Sequence, residues 1–159
     1  MNRIAWSVSA ALVIAVFALL AVSPGQSAAS PPDTGSGSYV VTGAVVTGIR
    51  TAGGNTFVSE TETVTATGTF VGTLVHDLVV IFRADGSLTF RGPGTFTGTV
   101  GGLSGTLEYT VEGQGSVVTG ALHGSFAITR GTGDLAGVQG HVTIEGIAAT
   151  GGTYTVQFQ

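Results

Sequence analysis

The amino-acid sequence predicts an all-β protein, a single antiparallel up-and-down β-barrel of about seven or eight strands over residues 39–159. Threonine, valine and glycine dominate the chain after residue 30. The first two suit a pleated strand, and frequent glycine disfavours helix. Apolar and polar residues alternate along several segments, without an apolar stripe of helical period. Glycine-rich turn sequences separate these segments at short intervals, as expected of antiparallel neighbours.

The first 29 residues have the three-part layout of a secretory signal peptide. Arg3 supplies a positive start, Ile4–Val22 carries no charge, and Pro24-Gly25 precedes a small-residue cleavage site at Ser27–Ala29. We therefore expect cleavage after residue 29 and a secreted or extracytoplasmic product that is released from the membrane. An uncleaved anchor is the alternative, because this uncharged stretch comes close to the roughly 20 residues that span a bilayer.

Residues 30–38, SPPDTGSGS, are predicted to form a flexible linker because they are rich in proline, glycine and serine. The chain beyond residue 29 carries four scattered arginines, no lysine and nine carboxylates. This composition argues against a nucleic-acid partner, which requires clustered positive charge. The absence of cysteine means that the core alone must hold an exported fold together. Self-association into a homo-oligomer is left open by the sequence.

Alternation in the second half of the chain assigns side chains to the interior of the predicted barrel. These inward positions are Leu107 and Tyr109 in residues 103–111, Phe126 in residues 122–128, and Tyr154 in residues 154–158. The segment from Thr56 to Phe82 contains no turn signal. It is predicted to be one long strand bent at Gly68 or Gly72, or two strands whose corner the sequence does not locate. Strands with one apolar face need a sandwich or a closed barrel, and closure is favoured because it removes edge strands.

The segment TRGTGDLAGVQGHVTIEG, residues 129–146, contains glycines spaced like those of a dinucleotide-binding loop. A phosphate loop needs a helix after the glycines, whose N-terminal amides face the anion. Here the alternating, β-branched sequence HVTIEG follows Gly140, so the context predicts a strand. We therefore expect no nucleotide cofactor, and a structural loop that caps one end of the barrel with Leu135 and Val138 tucked inward.

Two stretches of the chain resemble a known family. The closing GTGDLAGVQGHVTIEG with GGTYTVQF, and the earlier RADGSLTFRGPGTFTGTVGGLSGTLEYTVEGQG, are similar to a bacterial family of unknown function within the allene oxide cyclase-like barrel superfamily. The resemblance covers roughly residues 40–159 and rests on turn and glycine positions, so it implies the fold much more than any chemistry. Members such as plant allene oxide cyclases, dirigent proteins and bacterial natural-product cyclases hold apolar substrates in the barrel lumen. The resemblance carries over none of their catalytic residues.

Parity along residues 74–82 predicts the candidate site. His76 is predicted to face inward together with its apolar neighbours. If the same alternation of inward and outward positions continues back along the chain, Glu60 and Glu62 also face inward. These groups could move protons in an apolar barrel, where desolvation should keep the imidazole neutral. A one-residue bulge near Gly68 would reverse the parity and leave both glutamates in water. The predicted lumen residues are Leu74, His76, Leu78, Phe82, Leu107, Tyr109, Phe126 and Tyr154, and the acid–base candidates are His76, Glu60 and Glu62.

Three functional classes follow from this interpretation. A binding module would hold a small apolar molecule in the lumen by shape and one or two polar contacts. An isomerase or cyclase would act on an apolar substrate in the same cavity. A structural or interaction protein follows if side chains fill the lumen. His123 and His141 fall on solvent-facing positions without a compact zinc spacing, so no metal site is expected.

Overall fold

The computed structural model describes residues 30–159, which form eight antiparallel strands in one closed ring. Each strand pairs with the next along the chain and the last pairs with the first. The predicted all-β, up-and-down barrel is therefore confirmed; the predicted signal peptide lies outside the described residues. Within residues 30–159 there is no helix that is long and apolar enough to cross a membrane. The strands are Thr34–Ala52 (β1), Asn55–Gly68 (β2), Phe70–Phe82 (β3), Ser87–Val100 (β4), Leu103–Ser116 (β5), Ala121–Gly133 (β6), Gly140–Ile147 (β7) and Gly151–Phe158 (β8).

The ring is closed by the N-terminal part of β1, which pairs with β8 from Thr34 to Val40. The prediction that residues 30–38 form a flexible linker is therefore wrong for residues 34–38, which are the start of a strand. Their composition is explained by packing. A Cβ at Gly35 would collide with the Thr69 side chain, and one at Gly37 would collide with the ring of Tyr154.

The long segment without a turn signal is two strands, and the corner between β2 and β3 lies at Gly68 and Thr69. Gly68 adopts a φ of 103°, which favours glycine. The Tyr154 side chain of β8 holds the corner by reaching over β1 at Gly37. Its hydroxyl accepts a hydrogen bond from the Phe70 amide at 2.8 Å and donates one to the Thr67 carbonyl at 3.0 Å.

The pairing of β2 with β3 runs without a register shift from Thr56–Phe82 to Ala66–Gly72. The bulge considered near Gly68, which would have turned the glutamates outward, does not occur in this ladder. The register shifts lie instead in β1, at residues 41–43 and 46–48, and between β5 and β6. Parity therefore holds along β2, and Glu60 and Glu62 share the inner face with their cross-strand partners Leu78 and His76.

The narrow end of the barrel, where the β2–β3, β4–β5 and β6–β7 turns lie, is filled by apolar side chains. Leu135 in the β6–β7 loop is fully buried, and Val138 is 7% exposed. Phe70 makes edge contacts with Phe96 and Tyr154, with ring centroids 5.3 and 5.4 Å apart. The glycine-rich loop is therefore a cap, as predicted, and it leads into a strand.

Bulky inward side chains fit inside the ring because glycines on nearby strands face them. A Cβ at Gly94 would lie 2.6 Å from the Tyr109 hydroxyl oxygen, closer than real contacts allow. The same steric relation recurs around the interior. The pairs are Gly37 with Tyr154, Gly72 with Phe96, Gly113 with Phe90, and Gly146 with Tyr39.

At the other, wide end, β1 and β2 extend well beyond the point where β8 begins. Past Val41, β1 has β2 as its strand neighbour and, in the part of the chain that the structure describes, no strand on its other side. Val46 and Ile49 are 53% and 68% exposed on this projecting ribbon. The two bulges of β1 lie within the free edge, which is how natural sheets discourage edge-to-edge pairing.

We predict that Leu135→Ala destabilises the barrel by about 2–5 kcal/mol, because the side chain is fully buried in the cap and its loss leaves a cavity. Urea unfolding followed by circular dichroism measures the change. Gln139→Ala, an exposed position in the same loop, is the control and should leave the midpoint unchanged. Equal midpoints for the two variants would show that the loop does not seal the core.

Candidate ligand site in the barrel lumen

The wide end opens into a cavity of about 240 Å³ whose walls are mainly apolar. A second space of about 40 Å³ lies next to it, towards the narrow end. Tyr39 and His76 line both spaces, so they stand where the two adjoin. The other walls of the larger cavity include Val41, Val64, Leu78, Val80, Phe82, Leu88, Phe90, Val111, Leu122 and Ile144.

The structure places all the predicted lumen residues inside the barrel, but not all of them at the cavity wall. Leu78 and Phe82 line the larger cavity, and Leu74, Phe126 and Tyr154 line the smaller one. Leu107 and Tyr109 are packed into the core and line neither of these two spaces. The Tyr154 hydroxyl is engaged at the β2–β3 corner, so it is not available as a donor in the lumen.

His76 and Glu62 form a pair at the centre of the site. They are direct cross-strand partners on β3 and β2, and His76 Nδ1 lies 3.4 Å from Glu62 Oε2. The side chains are 11% and 18% exposed, so the contact is largely shielded from water. The carboxylate leaves Nε2 as the imidazole nitrogen that faces away from the pair.

Three buried polar atoms have no hydrogen-bond partner in residues 30–159: Tyr39 Oη, His76 Nε2 and Tyr109 Oη. We call them the unpaired polar atoms. Burial raises the pKa of Tyr39 to about 12, and the nearby charge of Glu62 contributes. The same two causes, burial first, raise the pKa of Tyr109. Both phenols therefore stay protonated at neutral pH and present hydroxyl donors.

The unpaired polar atoms approach the interior from different walls. Tyr109 stands edge-on to the imidazole of His76, with centroids 5.6 Å apart and planes at 88°. Tyr39 crosses β8, so its hydroxyl lies beside Gly146 on β7. Because β7 and β3 are four strands apart in a ring of eight, Tyr39 Oη and His76 lie on opposite sides of the lumen. Tyr39 is not among the lumen residues predicted from the sequence, although its alternation with Val41 continues the inward pattern.

Glu60 lies nearer the mouth, on the inner face of β2. Burial raises the pKa of its carboxyl, and the neighbouring charge of Glu62 raises it further. The two acidic candidates thus differ in surroundings. Glu62 contacts a histidine, whereas Glu60 has the apolar Leu78 as its cross-strand partner.

A broader concavity of about 740 Å³ lies on the outer surface of β3–β7, open to solvent and lined by residues that include Arg91, Glu112 and His123. Its larger volume reflects that openness. His123 is exposed there and lies 2.9 Å from the Gln114 amide nitrogen, and His141 is also exposed. Among the described residues 30–159, no group of three or more His, Cys, Asp or Glu side chains is arranged to hold a metal ion.

The barrel is similar to a crystal structure of a protein of unknown function from the DUF3224 family of Shewanella oneidensis MR-1. The TM-score is 0.61 at 16% sequence identity, and the match covers 79% of this chain and 95% of the other. At this identity the likeness shows the fold alone. No protein-family model and no curated protein sequence matches the chain. The structural neighbour is thus a bacterial protein of unknown function, and it offers no support for the allene oxide cyclase-like assignment.

The two buried tyrosines allow a matched test of the hydrogen bonds. We expect Tyr154→Phe to lower the free energy of unfolding by about 1–3 kcal/mol, because it leaves a buried amide and a carbonyl unpaired at the β2–β3 corner. Tyr109→Phe removes one of the unpaired polar atoms and should be neutral or stabilising. Chemical denaturation of both variants measures the difference. A larger loss for Tyr109→Phe would contradict this assignment of roles.

The raised pKa of Glu60 predicts a pH-dependent stability. A carboxyl whose pKa is higher in the folded state contributes stability below its unfolded value of about 4.3, and this contribution is lost as pH rises through the folded value. Glu60→Gln should therefore stabilise the protein at pH 8 and have little effect at pH 3.5. Asp85→Asn should do the opposite at pH 8, because hydrogen bonds from Ser87 lower the pKa of Asp85. Thermal unfolding across this range tests both signs.

Proposed function

We propose that the protein is a secreted β-barrel that binds a small, mostly apolar molecule bearing one polar group. The observation that carries the proposal is an apolar cavity whose lining residues include Tyr39 and His76, each of which holds one of the buried, unpaired polar atoms. Apolar walls select apolar ligands through buried area, at about 25 cal/mol per Å². A polar group on the ligand would satisfy the tyrosine hydroxyl or the imidazole nitrogen.

The energetics favour a ligand over a merely tolerated defect. A buried polar atom without a partner costs about 1–3 kcal/mol, and such atoms are rare in folded proteins. Here two of them belong to residues that line the same cavity. A ligand that accepts a hydrogen bond from Tyr39, or donates one to His76, would recover much of that cost, which makes these side chains specificity determinants.

The size of the cavity limits the ligand. At about 240 Å³ it lies below the roughly 300 Å³ at which sites for drug-sized molecules begin. The ligand is therefore smaller than a typical drug, or it extends past Ala44 towards the exposed apolar side chains of the β1–β2 ribbon. A filled barrel with a purely structural role is disfavoured, because the half of the lumen at the wide end retains this cavity.

The resemblance to the allene oxide cyclase-like superfamily is a second line of support, since its members hold apolar substrates in the lumen. It also keeps open an isomerase or cyclase that acts on such a substrate. The pair formed by Glu62 and His76 is the observation that favours this second candidate. The signal-peptide pattern of residues 1–29 supports export, and we include secretion in the proposal.

The binding proposal predicts a site-specific loss of affinity for N-phenyl-1-naphthylamine, a neutral apolar probe whose fluorescence rises in dry sites. Ala44→Trp places a large ring over the cavity that Ala44 lines and should weaken binding at least about tenfold, or 1.4 kcal/mol. The next residue supplies the control. Val45 faces outward on the same exposed part of β1, so Val45→Trp should bind like the unaltered protein.

Native mass spectrometry of the secreted protein complements the titration by looking for a co-purified apolar molecule. Failure of the probe to bind, or equal loss in the Ala44 and Val45 variants, would overturn binding in the lumen.

A further inference from the structure

We propose that His76 is a base that removes a proton from the carbon next to the carbonyl group of a small apolar ketone, so that the barrel is an isomerase of such compounds. The inference rests on the proposed binding function and adds a substrate class and a reaction to the same site. Three features carry it: an oriented imidazole, a hydroxyl donor on the facing wall, and an apolar enclosure.

The imidazole is arranged as a general base. Glu62 Oε2 lies 3.4 Å from Nδ1, so a neutral imidazole bearing its proton on Nδ1 directs that N–H towards the carboxylate. The lone pair is then on Nε2, which is buried and unpaired in the described chain. Tyr109 stands edge-on against the ring and restricts its rotation. A histidine held through one nitrogen, with its other nitrogen unpaired next to a cavity that the residue lines, is the arrangement that proton abstraction requires.

The donor on the facing wall is Tyr39. Its hydroxyl stays protonated near neutral pH, since burial and Glu62 raise the pKa of Tyr39 to about 12. A ligand placed between β3 and β7 would then have an acceptor for its C–H proton on one side and a donor for its oxygen on the other. A carbonyl compound matches both requirements, because its oxygen accepts a hydrogen bond and the adjacent C–H is its acidic position.

The step balances without a co-reactant. The Cα–H bond breaks, and the proton moves to Nε2 of His76. The electron pair of that bond forms the C=C bond of an enolate while the carbonyl π pair moves onto oxygen, where the Tyr39 hydroxyl stabilises the charge. The imidazolium next to Glu62 returns the proton to the same carbon, or to the γ carbon when the ketone is β,γ-unsaturated. Return to the same carbon regenerates the ketone with its hydrogen exchanged, and return to the γ carbon gives the conjugated isomer.

The surroundings favour this substrate class over charged carbonyl compounds. Glu60 and Glu62 line the cavity with the same sign of charge, so a keto acid would be repelled at the mouth. The remaining walls are aliphatic and aromatic and would exclude water from the enolate. Glu60 itself is a poorer base, because it has no partner comparable to the pair formed by Glu62 and His76.

Hydrogen–deuterium exchange tests the proposal directly. We would incubate the secreted protein in D₂O with 4-phenylbutan-2-one and with cyclohex-3-enone. Exchange next to the carbonyl is followed by NMR, and conjugation of the second ketone by ultraviolet absorbance. Binding is measured separately by displacement of N-phenyl-1-naphthylamine. We expect the protein to catalyse exchange of a bound ketone, and His76→Gln to slow it by about 100-fold or more, the usual contribution of a general base.

Three further variants assign the roles. Tyr39→Phe should lower kcat more than it raises KM, because its hydrogen bond strengthens as charge develops on oxygen. Glu62→Gln, at a positioning residue, should slow exchange and shift its pH profile, which a purely structural role would not do. His123→Gln, on the outer surface, should match the unaltered protein.

The outcomes separate this inference from the proposed function. A ketone that binds without catalysed exchange, or a folded His76→Gln variant with normal exchange, overturns the base role and leaves binding intact. If neither ketone displaces a probe that does bind, the ketone class is wrong. If the probe does not bind, the proposed function fails as well. Should His76→Gln not fold, the Tyr39→Phe rate and the Glu62→Gln pH profile decide, and normal values for both overturn the proposal.

Discussion

The interior of this barrel depends on a steric fit between aromatic rings and glycines. The interior of an eight-stranded barrel is just wide enough for its inward side chains to fill it. An aromatic side chain can therefore lie over a nearby strand only where that strand has a glycine, which carries no Cβ. Gly94 provides that space for Tyr109, and Gly37 provides it for Tyr154. The same relation accounts for Gly72, Gly113 and Gly146 among the 27 glycines of the chain. Packed interiors tolerate neither overlap nor voids without a loss of stability.

The same fit explains why the barrel is filled at one end and open at the other. In the narrow half, Phe70, Phe96 and Phe126 contact one another or Tyr154, and Leu135 closes the end. In the wide half, much of the lining consists of aliphatic and acidic side chains too short to meet across the lumen. The cavity therefore lies beyond the aromatic cluster of the narrow half, and Tyr39, Phe82 and Phe90 form part of its wall.

Alternation alone predicted much of the fold. Inward and outward positions of β3, β5, β6 and β8 agree with the predicted faces, because a period of two leaves little ambiguity when one face is buried. The glycine-rich loop was also interpreted correctly from the strand-like residues that follow it. These features are local, and local sequence is sufficient to specify them.

The errors lie where a segment depends on a distant partner. The prediction of a linker is wrong for residues 34–38, because a composition rich in glycine and serine does not reveal a strand that pairs with a distant partner. Their pairing with β8 and their packing under Tyr154 involve residues more than a hundred positions away. The corner at Gly68 and Thr69 carries no strong turn signal, because its hydrogen bonds come from Tyr154, 84 residues from Phe70. Only the assembled ring brings these parts together.

In the candidate site, too, some features follow from local sequence and others depend on distant parts of the chain. Parity alone brought Glu60, Glu62 and His76 to one face, and the regular β2–β3 ladder is the reason that it held. The contact between Glu62 and His76 depends on the register between two strands, and the place of Tyr39 depends on closure of the ring. A periodic pattern gives neither. The sequence could therefore place His76 on the inner face, but it could not show that Glu62 contacts it or that Tyr39 lines the same cavity.

The polar side chains of the candidate site lower the stability of the barrel, so a reason other than stability is needed for their presence. Valine or leucine at position 76 would suit the packing of the inner face of β3, and phenylalanine at position 39 would avoid an unpaired hydroxyl. Each unpaired polar atom in such a core costs about 1–3 kcal/mol, a sizeable share of the 5–15 kcal/mol that separates most folded domains from unfolding. The rest of the interior consists almost entirely of apolar residues and glycine. Stability therefore does not account for the histidine, the two unpaired tyrosine hydroxyls and the two carboxylates of the candidate site. A requirement to recognise a polar group inside an apolar cavity does account for them.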